Sequence, residues 1–514
     1  MLALLRAGRN LFRLLEIGFI LARYDALFPL DRVSGLAPLL RLLRLLRRRH
    51  LPRRPGQRLS EALQVMGPSF IKLGQALSIR ADLVGEEVAS DLARLQDRLP
   101  PFPGKAARAT IESELGQPLA ALFRRFEDEP VAAASIAQVH FAETIDGAEV
   151  AVKVLRPEIA AAFARDLDLF FWLAHLLERL EPGLRRLKPV AVVEMLADTV
   201  RQEMDLRLEA AGAAELREKC ANDPEFRVPA IDWARTSRQV LTLERVGGIR
   251  VDDRAALKKA GHDTHAILAN AARAFFHQVF RDGFFHADLH PGNLFVDENG
   301  AIVVVDFGIM GRLDRKTRYF LADMLLAFLT GDYRRVAEVH FEAGYIPADQ
   351  SLDAFAQACR SIGQPILGRP LHEISLGKLL AQLFQVTEQF QMETQPQLLL
   401  LQKTMLLAEG MGRILDPSVN MWTLAQPLIE DWMRANRGPE ARLRDAALDL
   451  ALTLTRLPVI TRDVEKLVAQ LAGGGLPLHP ETLASLARRD AARWLGAPLW
   501  IIAIVLTLIL LTRL

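Results

Sequence analysis

The tightest constraint in this chain of 514 residues is a spacing of oxygen-bearing side chains. Asn293 follows Asp288 by five positions within Phe285-His286-Ala287-Asp288-Leu289-His290-Pro291-Gly292-Asn293-Leu294. Asp306, in Val304-Val305-Asp306-Phe307-Gly308, follows Asn293 by thirteen. Two short apolar runs lie between them, Leu294 to Val296 and Ala301 to Val305. They read as a hairpin that sets the distance. An amide oxygen and a carboxylate so placed are hard ligands of the kind Mg²⁺ takes. Asp288 is then a carboxylate available beside an accepting group. A lone Asp here would be a turn or capping residue, but the ordered set, with strands in the right places, favours chemistry.

Protein kinases use this spacing, as H-R-D with an Asn five residues on and then D-F-G. Val150-Ala151-Val152-Lys153 fits the strand lysine of the same set, 135 residues before Asp288. A lone strand lysine is usually just solvated; order and distance make this one a phosphate partner. Gln138 to Ala142 and Glu149 to Val154 read as strands joined by the hairpin signal Asp146-Gly147, and Gln239 to Glu244 as another strand ending at Gly247-Gly248. Helical periodicity covers 1 to 125, broken at Pro100, Pro101 and Pro103, then 159 to 218 and most of the chain after 255. The expected fold is α+β and bilobal, with nucleotide in the cleft. The expected divisions are a basic segment 1–60, a helical extension 61–125, a β-rich N-lobe with a helical insertion 126–248, a helical C-lobe 249–470, a linker 471–493 around Gly473-Gly474-Gly475, and a transmembrane helix 494–512.

Net charge is +2, which implies no nucleic-acid partner. Cys220 and Cys359 form neither a disulfide framework nor a metal knuckle. Charge is uneven, however. Residues 1 to 54 hold twelve arginines against Glu16, Asp25 and Asp31. Arg6, Arg9 and Arg13 share a helical face, either lying on anionic lipid or solvated on an ordinary packing helix. Trp494 to Thr512 carries no charge, and as a helix would span roughly 28 Å. With Arg488, Arg489 and Arg493 before it, the expectation is a single-pass anchor in a bacterial-type inner membrane, with the main body cytoplasmic.

Three further stretches resemble the UbiB family of atypical kinases, which act in ubiquinone biosynthesis; the resemblance runs from about residue 10 to 430. Phe70-Ile71-Lys72-Leu73-Gly74-Gln75 resembles the family's K-x-G-Q signature. Ala132-Ala133-Ala134-Ser135-Ile136-Ala137-Gln138 resembles the alanine-rich loop that replaces the kinase glycine-rich loop. Gln202-Glu203-Met204-Asp205, with Arg207 and Glu209 after it, resembles the E-x-D region. The resemblance implies that Glu209 pairs with Lys153, and that Lys72, Gln75, Glu203 and Asp205 form a regulatory lid with Lys72 paired to Glu203. A bland surface pair is the competing reading for Lys72 and Glu203. With 198 to 215 as one helix, Glu203 and Glu209 face different neighbours, about 120° apart. Catalysis falls to Asp288, Lys153 and Glu209, and metal binding to Asn293 and Asp306. Nucleotide binding falls to Ala132, Ala133, Ala134, Ser135 and Lys153, with Glu244 and Val246 at the end of their strand.

Several kinase parts are missing. Ala287 stands for the arginine of H-R-D, His290 stands where many kinases have a phosphate-contacting lysine, and no A-P-E follows Asp306-Phe307-Gly308. Alanines resist the torsions that let glycines wrap a γ-phosphate. The expectation is a kinase or ATPase using ATP or ADP with Mg²⁺, without a peptide-docking segment. Its expected partners are membrane lipid, polyprenylated quinone precursors and quinone-biosynthesis enzymes. The alternatives are a small-molecule phosphotransferase of the aminoglycoside or choline kinase type, whose loops also read H-x-D-x₄-N, and a nucleotide-binding membrane scaffold. No flavin fingerprint or iron triad supports direct hydroxylation.

Overall fold

The computed structural model describes residues 2–28, 42–47, 54–78, 84–92, 95, 100–180, 189–365, 382, 385–387, 389–392, 396–416 and 421–437. The chain divides into two units, 1–433 and 434–514. The first carries everything below; of the second, only the last turn of one helix is described.

Among the described residues the helices that come first are α1 (Leu2–Arg23), α2 (Pro55–Met66), α3 (Pro68–Ser78), α4 (Glu86–Leu92), α5 (Gly104–Leu115) and α6 (Leu119–Leu122). A five-stranded antiparallel sheet follows, in the order β1 (Phe123–Phe126), β3 (Ala137–Thr144), β4 (Glu149–Leu155), β6 (Val240–Glu244), with β2 (Ala132–Ala133) also paired to β3. The β3–β4 turn forms at Asp146-Gly147, where Gly147 has φ of +89°, open to glycine at no steric cost.

Alternation along β4 fixes what each side chain meets. Val150, Val152 and Val154 face one core, with Ala107, Ile111, Leu122 and Phe123. Ala151 and Leu155 face another, shared with Leu63, Phe70, Ile71 and Leu92 of the extension. Lys153 lies between those two and so points toward the extension side. Each such leucine or phenylalanine contributes about 1.5–3 kcal/mol by burial, so the extension is bound to the sheet by a true core.

Between β4 and β6 come α7 (Ile159–Leu180), α8 (Pro189–Glu203), α9 (Leu206–Lys219) and β5 (Phe226–Arg227). A second sheet runs β5–β10–β9–β7, from β7 (Ile249–Arg250), β9 (Leu294–Val296) and β10 (Ile302–Val304), with β5 parallel to β10. The β9–β10 hairpin is antiparallel, so the pair expected between Asn293 and Asp306 is present. A third pairing joins β8 (Phe284–His286) to β11 (Met310–Arg312). The helical lobe holds α10 (Arg254–Lys259), α11 (Thr264–Phe276), α12 (Arg315–Leu329), α13 (Tyr333–Glu342), α14 (Leu352–Gly363), α15 (Pro396–Leu415) and α16 (Met421–Arg437). Leu401, Met411 and Leu415 of α15 are buried with Phe276, Phe280, Phe285 and Phe307 in one core.

The structure corrects two expectations. Residues 198 to 215 are not one helix. Asp205 leaves helical torsions at φ −129°, ψ 91° and caps α9 by accepting from the Arg207 amide, so α8 ends at Glu203. Glu203 and Glu209 face different neighbours because they sit on two helices, not because of rotation along one.

The second correction concerns the C-terminal transmembrane helix. No helix among the described residues is long and apolar enough to cross a membrane. The two longest, α1 and α7 at 22 residues each, carry Arg6, Arg9, Arg13 and Glu16, and Arg165, Asp166 and Asp168. One such charge at a bilayer centre costs about 3 kcal/mol. The helix expected over 494–512 lies outside the described residues. It is withdrawn, and with it the single-pass anchor, the inner-membrane placement and the cytoplasmic body. The linker expected at 471–493 also lies outside them.

Candidate active site

Lys153 Nζ sits 2.7 Å from Glu209 Oε1 and 3.2 Å from Asp306 Oδ1. Strand β4 supplies the lysine and α9 the glutamate. The Glu209 carboxylate also accepts the Phe307 amide at 3.2 Å. Burial pushes the Glu209 carboxyl up, against the pull of Lys153. Asp306 keeps about half of its side chain open, with an exposure of 49%. Desolvation, which would raise its pKa, is outweighed by Lys153 and the Gly308 amide, and the carboxyl is held at about 2. Asp306 also has φ of +71°, a strained torsion for a residue with a Cβ. The surroundings hold it there, since Phe307 is buried and Gly308 N–H donates to Oδ1 at 3.2 Å.

His286 ties the two loops together. Its Nδ1 accepts the Asp288 amide at 3.1 Å, so the ring proton belongs on Nε2, which donates to the Asp306 carbonyl at 2.5 Å. Burial pushes the His286 pKa down and keeps the ring neutral. Asn293 Nδ2 donates to the Asp288 carbonyl at 3.4 Å, which leaves its Oδ1 for another partner. Asn293 Oδ1 and the open side of Asp306 are two hard oxygens. That donor set suits Mg²⁺, which keeps several waters and completes its shell with substrate phosphates.

The segment after Asp306-Phe307-Gly308 is zipped down. Ala287 N–H donates to Ile309 O and Leu313 N–H to Gly283 O, on either side of the β8–β11 pairing. A Cβ on Gly311 would stand 2.2 Å from the Phe285 ring, so only glycine lets these strands meet. Asp314 caps α12 directly afterwards. The segment between Gly308 and α12 is therefore short and strand-paired. Gly311→Ala is expected to lower the thermal midpoint by several degrees, about 2–3 kcal/mol of overpacking strain. An unchanged midpoint would show that Phe285 can move aside.

The alanine loop is held rather than free. Ala132 and Ala133 pair with Val139 and Gln138. The Arg156 guanidinium donates to Ala134 O at 3.0 Å and Pro100 O at 2.7 Å, and Gln138 makes a reciprocal amide pair with the Phe102 backbone. Ser135 is fully buried and its hydroxyl has no hydrogen-bond partner within the described structure. At the end of β6, Glu244 is engaged through its side chain by Arg227 and the Ala230 amide. Val246 lies two residues further, half-buried.

Lys72 on α3 meets Glu203 at the end of α8 at 2.9 Å, with both side chains largely buried, so a loose surface pair does not describe them. Gln75 follows three residues on in α3, half-buried. Asp205 does not join this pair; its carboxylate serves Arg207 and the α9 cap.

One contact has no counterpart in the sequence reading. Lys403 of α15 places its ammonium 2.7 Å from Asp288 Oδ1. Its only sequence signal is that no other charge occurs between Pro396 and Ala408.

Comparisons agree with this architecture. The description "ABC1 atypical kinase-like domain" matches residues 94–340, and "UbiB helical domain" matches 359–420. A Marinobacter nauticus protein named "Probable protein kinase UbiB" is 42% identical over 94% of this chain and 91% of its own length. The Xanthomonas axonopodis pv. citri protein of that name is 40% identical over 98% of this chain and 94% of its own. The solved structure titled a complex of Rv3197 and erythromycin, from Mycobacterium tuberculosis, superimposes with a TM-score of 0.51. It covers 78% of this chain and 98% of the other at 24% identity, a likeness of fold alone.

Proposed function

Because this chain belongs to the UbiB family of atypical kinases, we propose that it binds a Mg²⁺-adenine nucleotide at Lys153, Asn293 and Asp306 and turns ATP over in support of ubiquinone biosynthesis. The observation that carries the reading is the Lys153 ammonium held between Glu209 and Asp306. That contact presents one cation to phosphate and, beside it, one open carboxylate to metal. Asn293 and Asp306 would hold the Mg²⁺, which supplies charge neutralisation between the phosphates. Asp288 accepts the proton of the attacking group. The zipped segment after Gly308 leaves a peptide no docking strand, which favours water or a small molecule as acceptor. Polyprenylated quinone precursors, or the enzymes that handle them, are the partners this reading supplies.

Asp306→Asn keeps the shape and removes the charge. It is expected to weaken Mg²⁺-ADP binding about tenfold or more while metal-free ADP binding changes little. Titrating ADP into parent and variant, with Mg²⁺ and with chelator, reads this directly. Equal affinities in the parent with and without Mg²⁺ would remove the metal assignment. In cells, deletion is expected to lower ubiquinone and accumulate a prenylated phenol, restored by the parent gene but not by Asp306→Asn. Normal quinone in a host with no second family member would overturn the pathway assignment and leave nucleotide binding standing.

A further inference from the structure

The catalytic loop holds no cation of its own. Ala287 is fully buried where an arginine would sit. His290 occupies the lysine position, but its Nδ1 accepts the Gly292 amide at 2.9 Å and caps the turn Pro291–Asn293. Lys153 is committed at the Glu209 and Asp306 end of the cleft. Negative charge nevertheless gathers at Asp288, where a carboxylate must approach a phosphoryl group.

Lys403 meets that need from 115 residues downstream, 2.7 Å from Asp288 Oδ1. Its helix is not free to drift. Leu401, Thr404, Ala408, Met411 and Leu415 are buried at helical spacing, and Leu401, Met411 and Leu415 share the core of Phe285 and Phe307. Lys403 itself keeps 39% of its side chain exposed, so a ligand can reach the ammonium.

We propose that Lys403 is the catalytic cation of this site, a lysine that contacts the transferring phosphoryl group and is supplied by α15 instead of by the catalytic loop. The inference rests on the nucleotide reading above. In the reaction, an acceptor oxygen bonds to the γ-phosphorus and gives its proton to Asp288. The β–γ bridging P–O bond breaks, its electron pair leaving on ADP. Charge on the γ-oxygens then rises beside Asp288. A lysine shared between Asp288 and those oxygens orients the carboxylate and offsets the charge. The helical segment after the kinase lobe thereby completes the active site.

Three measurements on full-length protein test this: Mg²⁺-ADP affinity, affinity for Mg²⁺-ADP with aluminium fluoride standing for the transferring phosphoryl, and single-turnover ATP hydrolysis. Lys403→Met is expected to leave Mg²⁺-ADP affinity and thermal midpoint near the parent. It should lower turnover and aluminium fluoride affinity about 100-fold. Adding His290→Lys to that variant, which returns a lysine from the loop, is expected to recover at least about tenfold of the loss. Unchanged aluminium fluoride affinity in a folded Lys403→Met protein would overturn the proposal. So would raised turnover, which would make Lys403 a plug. Absence of Mg²⁺-ADP binding in the parent would instead strike the functional reading itself.

Discussion

Lys153→Met is expected to destabilise the protein by about 3 kcal/mol, the low end for a broken buried pair, and to abolish tight nucleotide binding. Lys153 and Glu209 have side-chain exposures of only 15% and 8%. Removing the cation leaves Glu209 buried without its partner and close to a second carboxylate, Asp306. Glu209 cannot regain full hydration while α9 stays packed through Leu206, Ala210, Ala213 and Leu216. The remaining routes are protonation of Glu209 or displacement of α9, and each costs stability. The double variant Lys153→Met, Glu209→Leu should recover much of the loss, because an apolar pair of similar volume carries no desolvation penalty. Nucleotide binding should stay lost in both. Urea unfolding of parent, single and double variants settles it. A single variant within about 0.5 kcal/mol of the parent would show that the pair is open to water.

Acidification from pH 7 towards pH 5 is expected to lower stability, through the buried His140 and His286 and the half-buried His340. Burial pushes His140, His286 and His340 below their ordinary value near 6.5. Each ring is bonded as a neutral group. His140 Nδ1 donates to Glu127 O at 2.8 Å and His340 Nδ1 to Val336 O at 2.7 Å. Below pH 6.5 the unfolded chain takes up these protons and the folded chain does not, so stability is complete above 6.5 and falls as pH drops toward the folded values. Each histidine contributes a slope of at most about 1.4 kcal/mol per pH unit, so about 4 is the upper bound for the three together. Glu209 and Glu409, raised by burial, pull the other way at the acid end. The clean measurement is therefore a difference. His340→Leu, far from the site and packed against Tyr345 and Phe355, should flatten the slope. An identical slope in parent and variant would remove His340 from the account.

Local rules carried the sequence a long way. The short β-like run Glu149 to Val154 and its V-A-V-K match placed Lys153 on a strand, turn chemistry placed Asp146-Gly147, and a hairpin of fixed length set Asn293 against Asp306. These features depend on neighbours within a few residues, so a linear reading recovers them. The helix break at Met204-Asp205 was less legible. Apolar spacing runs on through it, and only the Asp205 cap, satisfied by Arg207, decides the end.

What the sequence by itself determined is the candidate set Lys153, Asp288, Asn293 and Asp306, whose order and spacing belong to one local pattern. Only the tertiary structure decided which cation reaches Asp288, because Lys403 is brought there by the burial of α15 against the helical core and not by proximity in the chain. It likewise decided the closing of the segment after Gly308, which depends on the missing Cβ of Gly311 against a phenylalanine ring 26 positions earlier. Contacts of that kind are chosen by three-dimensional packing, and no window along the chain contains both partners.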